Sequence, residues 1–207
     1  MLKLYYGDVG ALDPWAAREG FSAYRLERLS GVKSDRARRQ GIGAELLLLE
    51  ALKREGEGLC LPPDIGRDPG GKPFLRFPGL YFSVAHSESL SVCALADSPL
   101  GADVQKRRKM NPALVRRFFS QAEQRFLLDE ERGDDAFSMI WSLKEAFLKA
   151  DGLGLRRPLS SFCVIPDAAG ELPPGFWHEC KGDFHMALFL PGRSSAKPDL
   201  IKEITLL

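Results

Sequence analysis

Between residues 80 and 105 the chain carries three short apolar runs, LYFSV (80–84), LSVCALA (90–96) and LGADVQ (100–105), separated by turn-forming residues. Runs of this length, rich in β-branched and aromatic residues, fit neighbouring strands and are too short for helices. Helix-period patterns precede them at residues 14–29 and 34–53, with Ser34 placed to cap the second and Leu46, Leu49, Ala51 and Leu52 placed to face a core. Helical patterns return after them. Asn111 and Pro112 open one, Ser120 caps another with Glu123 at the capping-box position, and Asp134 and Asp135 start a third that closes near Gly152. SFCVIP, FWHEC, HMALFL and LIKEITL then read as strands. Strand clusters following helix clusters in both parts of the chain predict an α+β fold rather than alternating βαβ units.

The 207 residues, 44% of them hydrophobic, suffice for one large domain or two small halves. Turns near Pro99 suggest halves of 1–99 and 100–207 with no flexible linker between them. The 29 basic and 28 acidic residues leave a net charge of +1, which excludes a global field for nucleic acid or an anionic membrane and requires any anion site to be local. The start, MLKLYYGDVG, lacks the apolar stretch of a signal peptide, and aliphatic runs such as Leu46 to Leu49 are too short to span a bilayer, so a cytoplasmic protein is expected. Cys60, Cys93, Cys163 and Cys180 form no C-x-x-C pair. They are expected to be reduced and mostly buried, with any metal bound by oxygen.

The segment WSLKEAFLKADGLGL (141–155) is where this pattern carries chemistry. At ~3.6 residues per turn, Trp141, Lys144, Glu145 and Leu148 fall within an arc of about 100°, a face that is aromatic, charged and aliphatic at once. A surface helix with a Glu145–Lys149 pair is one account of it. The other sets Glu145 beside Asp103, at a strand end, where two carboxylates can hold a magnesium ion that completes its shell with water and phosphate oxygens. His86, after an apolar strand, and Lys72, in the turn GGKP, have ordinary structural readings as a satisfied histidine and a solvated loop lysine.

In this order, GGKPFL, FSVAHS, PLGADVQ, FFSQAE and WSLKEAFLKADGLGL resemble the signature blocks of the Sfp-type 4′-phosphopantetheinyl transferases, from about Ser34 to Val164. The resemblance implies a pseudo-twofold arrangement of two similar α+β halves, the first contributing coenzyme A contacts and the second a metal site and catalytic helix. It implies transfer of the phosphopantetheine arm of coenzyme A to a serine hydroxyl of an apo acyl or peptidyl carrier protein, with release of adenosine 3′,5′-bisphosphate. It also implies a cytoplasmic monomer that uses magnesium, with manganese as the alternative ion, and engages neither nucleic acid nor membrane. By residue, it implies metal ligation by Asp103, Gln105 and Glu145, and catalysis by Glu145 as base, directly or through a metal-bound water, with Lys144 and Lys149 beside the pyrophosphate. Coenzyme A contacts fall on Arg39, Lys72 and His86 and, across a small alignment gap, on Arg25 and Arg28. Glu123 matches an acidic position near the metal, although its capping-box place is itself a sufficient reason for it, and Trp141 is read as a packing residue.

Two departures stand out. Gln105 occupies the last position of the family's G-x-D-x-E strand, replacing a carboxylate with a neutral oxygen, and Ala85 replaces a serine before the histidine. Two rivals remain: a noncatalytic coenzyme A or carrier-protein binding module, which would tolerate loss of the acids, and a metal-dependent phosphohydrolase, which would need no protein acceptor.

Overall fold

A computed structural model of the chain describes residues 1–15, 19–55, 58–129, 133–152 and 157–206. The order is β1 (Leu2–Asp8), α1 (Ala23–Ser30), α2 (Asp35–Glu55), β2 (Ile65–Arg67), β3 (Pro73–Leu75), β4 (Tyr81–Ser87), β5 (Leu90–Ala96), β6 (Gly101–Lys106), α3 (Pro112–Phe118), α4 (Gln121–Asp129), α5 (Gly133–Asp151), β7 (Phe176–Lys181), β8 (Phe184–Phe189) and β9 (Leu200–Glu203). The fold is α+β and consists of two units, residues 1–99 with 198–207 and residues 100–197. The second half expected from the sequence, residues 100–207, therefore loses its end to the first unit, because β9 pairs in parallel with β1. Among the described residues no helix is long and apolar enough to cross a membrane.

In the first unit a sheet of order β4-β5-β1-β9 carries α2 on one face. Residues Leu47, Leu48, Ala51 and Leu52 recur at helical spacing and meet Tyr5, Phe82, Cys93 and Leu95 of the sheet, while Leu46 and Leu49 pack at the margin of a smaller cluster around Val9 and Ile42. Ser34 caps α2 as its place before the helical run predicts, accepting from the Ala37 amide at 3.4 Å. The helix expected over residues 14–29 is shorter. Ser22 caps α1 by accepting from the Arg25 amide, and Gly20, at φ 82°, turns the chain before it; residues 16–18 of that expected helix lie outside the described residues. Of the four thiols only Cys93 is buried, which corrects the expectation that most would be.

In the second unit β6, β8 and β7 form an antiparallel sheet in that order. Helix α5 crosses it, and its Phe137, Ile140, Leu143 and Ala146 share a core with Phe176 and Ala187 of the sheet and with Val115 and Phe119 around α3. Trp141 packs among Phe118, Phe119 and Phe137, with centroids 6.0 to 6.1 Å away, the packing role its sequence position suggests. Gly152, at φ 71°, closes α5 by donating its amide to the Leu148 carbonyl at 3.2 Å; residues 153–155 of the quoted segment lie outside the described residues. The segment SFCVIP is not a strand. Its backbone groups meet side chains instead of a ladder, the Phe162 carbonyl accepting from Lys144 and the Val164 amide donating to Glu123.

The contact that sets α5 on the sheet is at Gly101. A Cβ there would overlap the Ala146 carbonyl oxygen and lie 2.5 Å from the Ala150 nitrogen, so helix and strand touch backbone to backbone. Gly101→Ala is expected to cost about 2–3 kcal/mol, the usual scale of overpacking, read as a lowered urea midpoint with unchanged m-value.

Candidate active site

Strand alternation places Gly101, Asp103 and Gln105 on one face of β6, the face that α5 covers. Because Gly101 lets the helix approach, the next residues on that face come under the last turns of α5. Lys149 Nζ donates to Asp103 Oδ1 at 2.6 Å, and Gln105 Nε2 donates to Asp103 Oδ2 at 3.0 Å. Asp103 is 4% exposed, whereas the Lys149 side chain is a third exposed. Glu145 lies one helical turn before Lys149. Burial raises its carboxyl above the usual glutamate range and the neighbouring Asp103 adds to this, while Lys149 and Arg108 pull the other way. Asp103, Gln105, Glu145 and Lys149, expected from the sequence to share a site, are thus brought together.

Lys144 is not part of this group. A rotation of about 100° per residue turns it away from Glu145 into the interior, where it is 1% exposed. Its three ammonium protons are consumed by Glu123 Oε2 at 2.8 Å, the Leu159 carbonyl at 2.6 Å and the Phe162 carbonyl at 2.8 Å. Burial pulls this ammonium below the ordinary lysine range and the Glu123 carboxylate opposes that. A lysine with every donor occupied cannot also neutralise a pyrophosphate, so the expected catalytic role of Lys144 is replaced by a structural one. Glu123 is its counterpart. The carboxylate accepts from the Ser120 amide at 2.8 Å and the Val164 amide at 3.0 Å, a capping box that also receives Lys144. Its capping-box place, and not proximity to a metal, accounts for it.

The residues expected to contact coenzyme A lie in the first unit. Arg39 sits on the early turns of α2 and donates to the Leu12 carbonyl at 2.8 Å, while its neighbours Gln40 and Arg36 hold the β4–β5 turn through Glu88. His86 is exposed on β4, two residues before Glu88. Lys72 ends a turn closed by its amide on Asp68 Oδ1 at 2.8 Å; burial lowers its ammonium and Asp68 opposes this. Arg28 is exposed on α1. Arg25 is 8% exposed and its Nε donates to the buried Glu45 at 3.3 Å, so its guanidinium fastens α1 to α2.

The model of the 4′-phosphopantetheinyl transferase superfamily (ACPS) matches residues 99–188, which include β6 and α5. The 4′-phosphopantetheinyl transferase Sfp of Bacillus subtilis (strain 168) is 33% identical over 150 residues, covering 66% of this chain and 65% of its own. Over these residues the chain is similar to the 4′-phosphopantetheinyl transferase superfamily and to its Sfp-type members. The 4′-phosphopantetheinyl transferase psf-1 of Bacillus pumilus is 40% identical over 104 residues, covering 49% of this chain and 45% of its own. The chain thus spans just under two thirds of the length of the first of these relatives. Among solved structures, the Thermotoga maritima holo-[acyl-carrier-protein] synthase matches at 22% identity and TM-score 0.37, over 44% of this chain and 60% of that one.

Within this family setting, the geometry adds a residue that the sequence reading passed over. Arg108 bears electrostatically on Glu145 and stacks over Trp141, 4.9 Å from its ring centroid. The signal was the basic run KRRK (106–109), which begins with the last residue of β6. The donor set also fits a hard divalent cation. Asp103, Glu145 and the Gln105 amide offer only oxygen, and each Asp103 oxygen keeps a lone pair beyond the one given to Lys149 or Gln105. A cation there would favour the ionised Glu145 carboxylate against the burial and the Asp103 charge that hold its carboxyl up.

Two outcomes follow from these environments. Lys144→Met leaves the Glu123 charge buried without a partner and is expected to cost about 3–5 kcal/mol in urea unfolding, with much of the loss recovered in the Lys144→Met, Glu123→Gln double variant. Glu145→Gln has the opposite sign. Folding favours the protonated form of Glu145, so its ionisation opposes the fold as pH rises through the raised pKa, and the neutral amide removes that opposition. Without divalent metal, Glu145→Gln should raise the melting temperature by about 2–4 °C at pH 7, the gain shrinking as acidification protonates the parent residue.

Proposed function

We propose that this chain transfers the 4′-phosphopantetheine group of coenzyme A to a serine hydroxyl of an apo carrier protein, releasing adenosine 3′,5′-bisphosphate. The observation that carries the reading is the Asp103–Glu145–Lys149 group, in which a carboxyl with a raised pKa and an ammonium whose side chain is a third exposed meet on one helical turn. The relatives Sfp and psf-1, both 4′-phosphopantetheinyl transferases, support the same class. In the proposed reaction the serine oxygen bonds to the phosphorus of the phosphopantetheine arm while the bond to the oxygen of the adenosine bisphosphate breaks. The serine proton passes to a Glu145 carboxylate oxygen, for which a pKa above the ordinary glutamate range is an advantage. Lys149 Nζ, held by Asp103, is placed to neutralise charge growing on phosphate oxygens.

Magnesium, or manganese in its place, held by Asp103, Glu145 and an oxygen of Gln105, would supply charge neutralisation at the pyrophosphate when bound. The amide of Gln105 meanwhile steadies Asp103. Lys72 and His86 recognise the adenosine 3′-phosphate in this reading, with Arg39 as a basic contact to coenzyme A and exposed Arg28 as a further cation. Arg25 takes part only through the seat it gives α1.

Intact-mass measurement on a panel of apo carrier proteins with coenzyme A and magnesium tests the class. A pantetheinyl gain on serine is expected, falling at least 100-fold in Asp103→Ala and Glu145→Ala proteins that remain folded. Turnover of coenzyme A without an acceptor would instead identify a phosphohydrolase, and near-normal transfer by either variant would remove the acids from the site. Lys72→Ala and His86→Ala are expected to raise KM for coenzyme A about tenfold while changing KM for dephospho-coenzyme A little. Equal effects on the two substrates would reject the 3′-phosphate contact.

A further inference from the structure

The β7–β8 hairpin gathers three side chains that the proposed transfer chemistry does not use. His178 and Cys180 are two residues apart on β7 and so share a face, and the register sets His185 of β8 directly opposite Cys180. His178 Nε2 is 3.0 Å from His185 Nδ1, and Cys180 Sγ is 3.6 Å from His185 Nδ1 and 3.9 Å from His178 Nε2. Zinc–nitrogen bonds of ~2.0–2.1 Å and zinc–sulfur bonds of ~2.3 Å at tetrahedral angles give ligand separations of ~3.3 Å for N···N and ~3.6 Å for N···S. The three observed separations lie within a few tenths of an ångström of those edges. The hairpin therefore already holds one face of a tetrahedron.

We infer that His178, Cys180 and His185 form a binding site for a zinc-class divalent transition metal, separate from the oxygen ligands on β6 and α5. Two imidazoles and a thiolate favour such an ion over magnesium, so the expectation from the sequence that any metal is bound by oxygen does not extend to this hairpin. No C-x-x-C pair announces the site, because its ligands are brought together by strand pairing and not by spacing.

The surroundings orient the ligands. His185 is buried, and its Nε2 lies 3.3 Å from Asp135 Oδ1, which in turn accepts from Arg107 Nε at 2.8 Å. A carboxylate behind the far nitrogen of a histidine is the arrangement that fixes a metal-bound imidazole: Nε2–H points at Asp135, leaving the Nδ1 lone pair for the ion. Cys180 is at the surface, which gives the ion its entry and leaves a fourth coordination position to water. On binding, the Cys180 thiol gives its proton to solvent, and the His178 proton moves to Nδ1 of its own ring.

Cobalt(II) titration of the full chain, in millimolar magnesium and a phosphine reductant, tests the site. Saturation at one ion per chain is expected, with a sulfur-to-metal charge-transfer band that carboxylate ligands cannot produce, reversed by zinc. Zinc alone should raise the melting temperature in proportion to the logarithm of its excess over Kd. Cys180→Ser should abolish the charge-transfer band and His178→Gln should weaken binding at least tenfold. Neither residue is deeply buried, and both variants should keep the metal-free unfolding midpoint of the parent. Cys60→Ser and Cys163→Ser should leave the band intact. Absence of saturable one-to-one binding under magnesium, or a band that survives in Cys180→Ser, would overturn the assignment.

Discussion

The close approach of α5 to β6 at Gly101 governs the second unit. Strand and helix run side by side in opposite directions, about 3.3 Å per residue in one and about 1.5 Å in the other, so each strand position faces a predictable helical turn. Gly101 touches Ala146 and Ala150, Asp103 meets Lys149 and Glu145, and near the far end the Arg108 amide reaches Ser138 Oγ while Arg107 reaches Asp135. A side chain at position 101 would lift the helix and separate the acids from their lysine. The candidate active site is therefore a consequence of one missing Cβ as much as of the charged residues themselves.

Lys144 and Glu145 show how one helix divides its work. Adjacent in sequence, they point to different environments. Glu145 stays at the half-buried margin beside Asp103, where burial first and the like charge second raise its pKa, whereas Lys144 enters the core and finds a carboxylate and two carbonyls. The buried pair with Glu123 ties α5 to the start of α4 and to the segment after the 3₁₀ turn Leu159–Ser161. Removing one partner leaves an unpaired charge in a low-dielectric interior, which makes the pair a strong constraint on where α5 can sit. Arg25 and Glu45 play a similar part in the first unit, where a basic residue that looks like a phosphate contact is an internal fastener.

Much of this was legible in the chain itself. The strands at 90–96 and 101–106, the capped starts of α2, α3 and α4, and the glycine stop of α5 follow from local rules, because capping, turn chemistry and period act over a few residues. The helix expected over 14–29 was cut short by Gly20 and Ser22, and β1 escaped notice because its run LKLYYGD, buried along most of its length, lacks a clear alternation. SFCVIP has strand composition, but side chains of α4 and α5 take up its backbone groups.

By itself the sequence determined the α+β class, the family resemblance, and the residues able to act as acids, cations and oxygen ligands, since these depend on residue type and on order along the chain. Tertiary structure decided which of them meet. It joined Asp103 to Lys149, turned Lys144 inward, returned residues 198–207 to the first sheet through β9, and set His185 against Cys180 across a hairpin. Burial and strand register are properties of long-range pairing, and no spacing along a single strand or helix encodes the partner that lies across from it.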